Sequence, residues 1–450
     1  MAKIAVAQEN SLNYFLAAAE NNNPDLLQNQ NLVQVGELQT ELIRAENDFQ
    51  FSATSEVMLA PYFNSNGNFM EVTTTPSPNA YGYAEPVSNG ALYSAQLNIA
   101  KNIFNRSQIQ NLQFQNKISN RAIELSSEEI WHQLKKQVTA AYIQVYQLQL
   151  RKELLQDLIE GLKNRLEVVE LLVKKGILLQ SDYLLLQLEI DNRNLEMQQL
   201  ENNFQSNLLS LQNAVGLEKI SNDTLLAPEI PLSAELEVFL SASQQNFQEH
   251  LRPTDSLPEN HSIKNLFSSS IAGKDSLFFE RKYTNDSLQL IAEQQVFENK
   301  YQPQLTAYGN IGLNAVDLDQ LQHNLGFSAG LRLSIPIYDG GQRSIKRQQQ
   351  QLKIDNLRTR LQNQELQRNN TLESLRNQLA AIQKGLKLVS RQLQKQENIL
   401  EIYKIRMLQG QVSVIDYLKM IENYRVDLET QLQMQVNFWL LQNEFNATNW

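Results

Sequence analysis

Asp182 has a counterpart at Asp416, and the same spacing of 234 positions recurs along much of the chain. Gly176-x5-Asp182-Tyr183-Leu184 reappears as Gly410-x5-Asp416-Tyr417-Leu418. The offset also sets Ile103-Phe104-Asn105 on Ile337-Tyr338-Asp339, Gln108 on Gln342 and Phe204 on Phe438. Tyr93, Ala95, Leu97, Ile99 and Ile103 fall on Phe327, Ala329, Leu331, Leu333 and Ile337. Matches sustained over so long a span at one gapless offset identify two copies of a single unit, and each copy must find the same fold.

Each copy reads as helix, hairpin, very long helix, tight turn and helix. In the second, Thr306, Tyr308, Asn310 and Asn314 alternate with Ala307, Ile311, Leu313 and Ala315. Ser328, Gly330, Arg332 and Ser334 then alternate with Phe327, Ala329, Leu331, Leu333 and Ile335. Period-two amphipathicity over about ten residues has the length of a tilted strand that spans a bilayer. Ile311, Leu313, Leu331 and Leu333 take the apolar, lipid side of such a strand pair, and Tyr308, Asn310, Ser328 and Arg332 the other. The first copy has its strands near Val57–Met70 and Leu92–Phe104, joined by a turn-rich stretch at 73–90. A soluble hairpin with one wet face carries the same pattern. Four strands cannot close a barrel, so they form a small open sheet or several chains pool them.

After each hairpin the period changes to that of a helix. Leu134, Val138, Ala141, Val145, Leu148, Leu155, Leu162, Leu166, Val169 and Val173 step by threes, fours and sevens, as a coiled-coil seam does. Long helices are expected over 105–175 and 339–409; the first is free of proline and would run for roughly 100 Å. Gly176 and Gly410 suit left-handed stops, and Asp182 and Asp416 are placed to cap the returning helices, 183–215 and 417–449. The tips are thus 176–182 and 410–416. The first repeat covers 8–220, with its hairpin at about 57–104; the second covers 261–450, with its hairpin at about 303–337. Between them 221–260 is broken by Pro228, Pro231, Pro253 and Pro258 and reads as a connector with a short helix. Ser262–Tyr301 has the seam of the second repeat's first helix.

Composition narrows the function. Sixteen glycines and eleven prolines in 450 residues are few, which suits extended helices. A net charge of −10 with no basic cluster argues against a nucleic-acid partner. The absence of cysteine excludes disulfides, a thiol nucleophile and zinc–thiolate sites. His132, His250, His261 and His323 stand singly, without ligand spacing, so no metal site is expected. No phosphate-cradling glycine loop or catalytic constellation is visible, so neither a cofactor nor an enzymatic activity is expected. No apolar run reaches the roughly 20 residues of a membrane helix. Met1–Ala7 ends in the small-x-small pattern Ala5-Val6-Ala7, but its apolar part is short for a leader. Either a longer leader has been trimmed or the chain is cytosolic, and any membrane crossing must use strands.

Helices of this length, pooled strands and a twofold repeat together resemble the TolC-like outer membrane factor family. Asn22-Asn23-Pro24-Asp25-Leu26 is similar to the family's first-helix signature. Tyr301-Gln302-Pro303-Gln304-Leu305 with Tyr308-Gly309-Asn310 is similar to its strand entry, and Ile335-Pro336-Ile337-Tyr338-Asp339-Gly340-Gly341 to its strand-to-helix elbow. The resemblance implies a mixed α/β membrane protein. Three chains would pool four strands each into a twelve-stranded barrel, continuous with a periplasmic helical barrel. It implies a homotrimeric exit duct in the outer membrane of a Gram-negative cell, in contact with outer-membrane lipid. A periplasmic adaptor (membrane fusion) protein and an inner-membrane pump would open this passive conduit for efflux or type I secretion.

In the resemblance, Asp416 falls on the position that constricts the periplasmic entrance, where threefold symmetry would gather carboxylates into a ring. It equally suits a helix cap, as Asp182 does. Val412 stands where some members carry a basic residue that latches the tip, and Lys419 where some carry a second aspartate. A contact between Lys419 and Asp416 at i, i+3 would replace that latch. The adaptor-docking residues are Gly176, Ile177, Leu178, Ser181 and Asp182 on the first tip, and Gly410, Val412, Ser413 and Val414 on the second. A soluble coiled-coil scaffold is the competing reading, and it has no use for bilayer-length strands.

Overall fold

The computed structural model describes residues 10–59, 62–63, 70–71, 91–103, 105–220, 224–232, 236–241, 277–315 and 323–450. Its elements are α1 (Leu12–Asn22), α2 (Pro24–Glu46), β1 (Gln50–Leu59), the short β2 (Tyr62–Phe63) and β3 (Met70–Glu71), and β4 (Ala91–Ile103). Then come α3 (Arg106–Lys174), α4 (Gln180–Val215), a short helix α5 (236–241), α6 (Phe278–Glu298), β5 (Gln304–Ala315), β6 (Leu325–Ser334), α7 (Gln342–Leu408) and α8 (Val414–Thr448). No helix among the described residues is long and apolar enough to cross a membrane.

Two compact units emerge, and they cut across the sequence repeats. One comprises Met1–Asn29, Leu125–Phe278 and Leu361–Trp450; the other comprises Gln30–Glu124 and Phe279–Arg360. The repeats do not coincide with these units because α3 and α7 each begin in the second unit and end in the first.

The first unit is helical. Phe15, Leu16 and Ala19 of α1 pack with Leu134, Val138 and Tyr142 of α3 and with Phe204, Leu208 and Leu211 of α4. The fully buried Tyr142 also ties down two segments beside it, its hydroxyl donating to the Asn10 carbonyl at 2.8 Å and lying 2.6 Å from that of Leu226. α1 gives way to α2 at Asn23-Pro24, where the Asn23 side chain accepts from the Asp25 and Leu26 N–H groups, both at 3.0 Å. Proline lacks the N–H that this first turn would leave unpaired, so the break costs nothing there. In the connector, Leu236 and Leu240 of α5 are buried against Leu372, Leu375 and Leu379 of α7 and Phe445 of α8. The remainder, 242–260, and the expected helical stretch at 262–276 lie outside the described residues; helix α6 begins at Phe278.

The second unit is built on a four-stranded antiparallel sheet in the order β1-β4-β5-β6. The expected first strand, Val57–Met70, is corrected: β1 begins at Gln50 and ends at Leu59, and the short β2 and β3 pair with each other in a separate sheet. Ala53 and Ser55 are small, which hides the alternation that starts at Phe51. The expected connection at 73–90 lies outside the described residues.

Candidate functional site: the paired tips and the two-faced sheet

The tips, in the first unit, are built alike. At Gly176, φ is 72°, its N–H bonds the Val173 carbonyl at 2.9 Å, and the Ile177 N–H reaches back to Leu172 at 2.9 Å. Gly410 has the same φ, with the matching bonds Gly410 to Met407 and Gln411 to Arg406, both 2.9 Å. This pair of backward bonds closes a helix on a left-handed residue, a conformation that glycine adopts without steric cost.

The returning helices start at Gln180 and Val414, three residues ahead of the expected 183 and 417. Asp182 and Asp416 are therefore the third residues of their helices and do not occupy the N-cap place; Asp182 still caps its helix in the reciprocal sense, by accepting the Leu179 N–H, whereas Asp416 does not. Ser413 is the N-cap of α8: its Oγ accepts from the Asp416 N–H at 3.0 Å and donates to the Asp416 carboxylate at 2.7 Å. At the first tip Leu179 holds the N-cap place without a side-chain acceptor, so only the reverse half exists, Leu179 N–H to Asp182 at 3.1 Å. A carboxylate in the first turn also meets the positive end of the helix dipole.

Both tips share one apolar cluster. Leu162 and Val169 of α3, Leu186 and Ile190 of α4, Met407 of α7, and Val414, Tyr417 and Ile421 of α8 are buried together, with Leu178 and Val173 packed against them. A Cβ placed on Gly410 would stand 4.0 Å from Ile177 Cγ2, so the tips lie side by side. Val414 is therefore core, because it faces this cluster, and it is removed from the docking residues; Leu178 is half-buried. Gly176, Ile177, Ser181, Gly410 and Ser413 are exposed, Asp182 and Val412 partly so. Sequence reading missed Leu179 and Ile415, which are 70% and 60% exposed; the apolar residues flanking each helix start were the available signal. Asp416 and Lys419 are both exposed, and no ion pair joins them among the described residues, which corrects the expected latch. The Asp416 carboxylate is engaged by Ser413 instead.

Farther along the hairpins, a reciprocal ion network links α4 to α8. Arg193 donates to Glu189 at 2.7 Å, to Glu196 at 2.6 Å and to Glu422 at 3.1 Å. Arg425 donates to Glu422 at 2.6 Å and 3.0 Å, to Glu196 at 3.5 Å and also to Glu429. Hydrogen bonding from Arg425 holds the Glu422 carboxyl below its ordinary value, against the opposing effect of burial. A carboxyl depressed in the folded state contributes stability that is complete above its unfolded value of about 4.3 and lost as pH falls through the lower folded value. Arg425→Met is expected to cost about 1–2 kcal/mol at pH 7, after screening of these half-exposed groups, and to flatten the loss of stability below about pH 4.5. Urea titrations at pH 7 and pH 4 check this; equal stability of the two proteins at pH 7 would reduce the network to surface decoration.

The sheet, in the second unit, separates most of its side chains by face, with Ser55 and Lys101 the polar residues on the apolar side. Directly opposed residues of an antiparallel pair share a face. The register aligns Phe51 with Ile99, Ala53 with Leu97, Leu97 with Ile311, and Ile311 with Phe327. Ile311, Leu313, Leu331 and Leu333 thus lie on one apolar face, along with Val57, Ile99, Leu325 and Phe327. Phe327 is 85% exposed, Phe51 77%, Leu331 66% and Ile311 56%, so nothing among the described residues covers this face. The opposite face carries hydroxyls and amides that bond across strands, Asn98 to Thr54 at 2.8 Å and Thr306 to Asn102 at 2.8 Å.

The elbow that leads from β6 into α7 turns on Gly340 and Gly341, at φ 66° and 83°. Asp339 caps the turn, accepting from the Gly341 and Arg343 N–H groups at 2.8 Å each. Those bonds, foremost that from the Arg343 N–H, hold its carboxyl below the usual range, aided by the Tyr301 hydroxyl. Glu298, at the end of α6, receives Arg343 at 2.5 Å and Arg347 at 2.8 Å and so fixes the start of α7.

Comparison with known proteins places this architecture. Residues 292–432 match the family described as outer membrane efflux protein. The fold is similar to that of VceC, an outer membrane protein of Vibrio cholerae, at TM-score 0.66 and 13% identity over 97% of this chain and 96% of that one. It is similar to the open-state MtrE outer membrane channel of Neisseria gonorrhoeae, at 0.66 and 11% over 98% and 88%. The CmeC outer membrane channel of Campylobacter jejuni gives 0.62 and 14% over 97% and 83%. No curated protein matches the sequence significantly. Residues 292–432 thus match the outer membrane efflux protein family, and the chain has the fold of the TolC-like outer membrane factors.

Proposed function

We propose that the chain is one protomer of a trimeric efflux channel in the outer membrane of a Gram-negative cell, with its helical part extending into the periplasm. The observation that carries this reading is the sheet: ten- to thirteen-residue strands with one bare apolar face, one amide-lined face and two open edges, β1 and β6. Strand directions alternate, so β6 of one copy can pair antiparallel with β1 of the next, and closure removes both edges. Four strands per chain make twelve in a trimer, a practicable barrel diameter with the amides inside. In lipid the bare face then has its solvent, which a soluble scaffold would lack. The family match and the channels named above support the same reading.

The duct is passive, and docking of a periplasmic adaptor and its inner-membrane pump opens it. Ile177 and Leu179, exposed on the first tip, and Ile415 on the second are the apolar contacts offered to the adaptor, with Gly176, Ser181, Gly410, Val412 and Ser413 around them. Asp416, exposed at the second tip, supplies the carboxylate ring at the entrance, and Lys419, one turn on, moderates its charge. In detergent the protein is expected to be a trimer by native mass spectrometry and to conduct in planar bilayers. Asp416→Asn keeps an acceptor for Ser413 and is expected to weaken cation preference and cation block, while Asp182→Asn leaves both unchanged. A stable monomer without conductance would overturn the channel; a conducting Asp416→Asn channel with unaltered selectivity would leave Asp416 a helix-start residue only.

A further inference from the structure

We infer that Arg332 is the charge-discriminating residue of the strand-lined passage and favours solutes bearing a carboxylate or phosphate. The inference rests on reading the amide-lined face of the sheet as the channel wall. On that face, among the described strand residues, only Glu56 and Arg332 are charged; the rest are hydroxyls, amides, glycines and a few apolar side chains. The register separates the two. Arg332 opposes Thr306, whereas Glu56 opposes Ser94, which opposes Asn314. From Thr306 to Asn314 the strand advances roughly 27 Å at about 3.4 Å per residue. That is about three screening lengths at physiological salt, so the carboxylate does not neutralise the guanidinium. Among the described residues no ion pair engages Arg332, and its side chain is exposed.

Its position is also built. Gly330 opposes Tyr308 across β5 and β6, and a Cβ on Gly330 would fall 2.6 Å from the Tyr308 hydroxyl oxygen and 2.7 Å from Cζ. The tyrosine ring therefore lies over the strand in the space that a side chain would fill. The Arg332 guanidinium carbon sits 5.6 Å from that ring's centroid, within cation–π range. The ring restrains a flexible cation without consuming its hydrogen-bond donors, which stay free for a planar anion. In a trimer three such cations would surround one bore whose apolar outer wall concentrates their field.

The test uses the purified full chain in planar bilayers under a potassium chloride gradient, with pyrophosphate added as an anionic blocker. Arg332→Gln is expected to lower the chloride-to-potassium permeability ratio roughly twofold or more and to relieve pyrophosphate block. Arg332→Lys is expected to retain the ratio while weakening the block, because an ammonium lacks the bidentate fork. Thr306→Glu places a carboxylate opposite Arg332, neutralising it in place, and is expected to reproduce the Gln result should that variant assemble poorly. A conducting channel whose ratio and block are unchanged in Arg332→Gln, or in Thr306→Glu when Arg332→Gln does not assemble, overturns the assignment. Failure of the wild type to conduct would instead refute the channel reading itself.

Discussion

Ile311→Arg is expected to prevent stable barrel formation, whereas Asn310→Arg, one residue earlier, is expected to be tolerated. Ile311 stands inside β5, paired with Leu97 on one side and Phe327 on the other, in the middle of the bare apolar face. An arginine facing hydrocarbon near the midplane costs roughly 2–4 kcal/mol in each chain, and a trimer would incur that cost three times. Asn310 points to the amide-lined face, where an added guanidinium meets water. Leu333 is a weaker probe of the same idea, because β6 ends at Ser334 and the cost falls to about 0–1 kcal/mol near the interface. Heat-modifiable migration of the folded oligomer, compared across Ile311→Arg, Asn310→Arg and Leu333→Arg, measures the difference. Equal loss in the first two would mean that the faces are misassigned.

Gly312→Ala is expected to disrupt the sheet, while the same change at Gly326, its partner across β5 and β6, is expected to be harmless. Gly312 has φ 155°, and a Cβ there would lie 2.2 Å from the Ala95 carbonyl oxygen and 2.7 Å from Gln96 Cα. Both are backbone atoms of β4 and cannot swing aside, so β5 must move away from β4. Strain from the unfavourable φ alone exceeds about 1 kcal/mol, and the clash adds to it. Nothing lies within 4 Å of a Cβ on Gly326. Alanine there reduces the freedom of the unfolded chain and should be neutral or stabilising by up to about 1 kcal/mol. Unfolding in urea from detergent or bilayers would separate the two; a Gly312→Ala barrel as stable as the wild type would place β4 and β5 farther apart than found.

The contrast between Gly312 and Gly326 illustrates what could be read along the chain and what could not. Both are single glycines in alternating strands, and nothing local says that one touches a neighbouring backbone. The apolar face itself was legible, because alternate residues of a strand share a side whatever the strand pairs with. So were the stops at Gly176 and Gly410, since a left-handed helix end selects glycine locally. The start of β1 was not, because Ala53 and Ser55 interrupt the alternation with small side chains.

At the tips, the repeat placed Asp182 and Asp416 at equivalent positions, but whether each holds the N-cap place or the third position of the first turn depended on where the helix began. Ser413 settles this for α8 by accepting from Asp416. Val414 and Ile415 are adjacent and equally apolar in sequence, yet one is buried and the other exposed, because only one faces the α3, α4 and α7 cluster. The opposed charges Arg193, Glu196, Glu422 and Arg425 show regular i, i+3 spacing within each helix, and that much is sequence. Their crossing between α4 and α8 joins residues 229 positions apart. The sequence by itself determined periodicities, faces and helix ends, because those depend on neighbours a few residues away. Only the tertiary structure decided which faces meet, which charges pair and which glycine is indispensable, because those depend on the packing of elements that the chain order leaves distant.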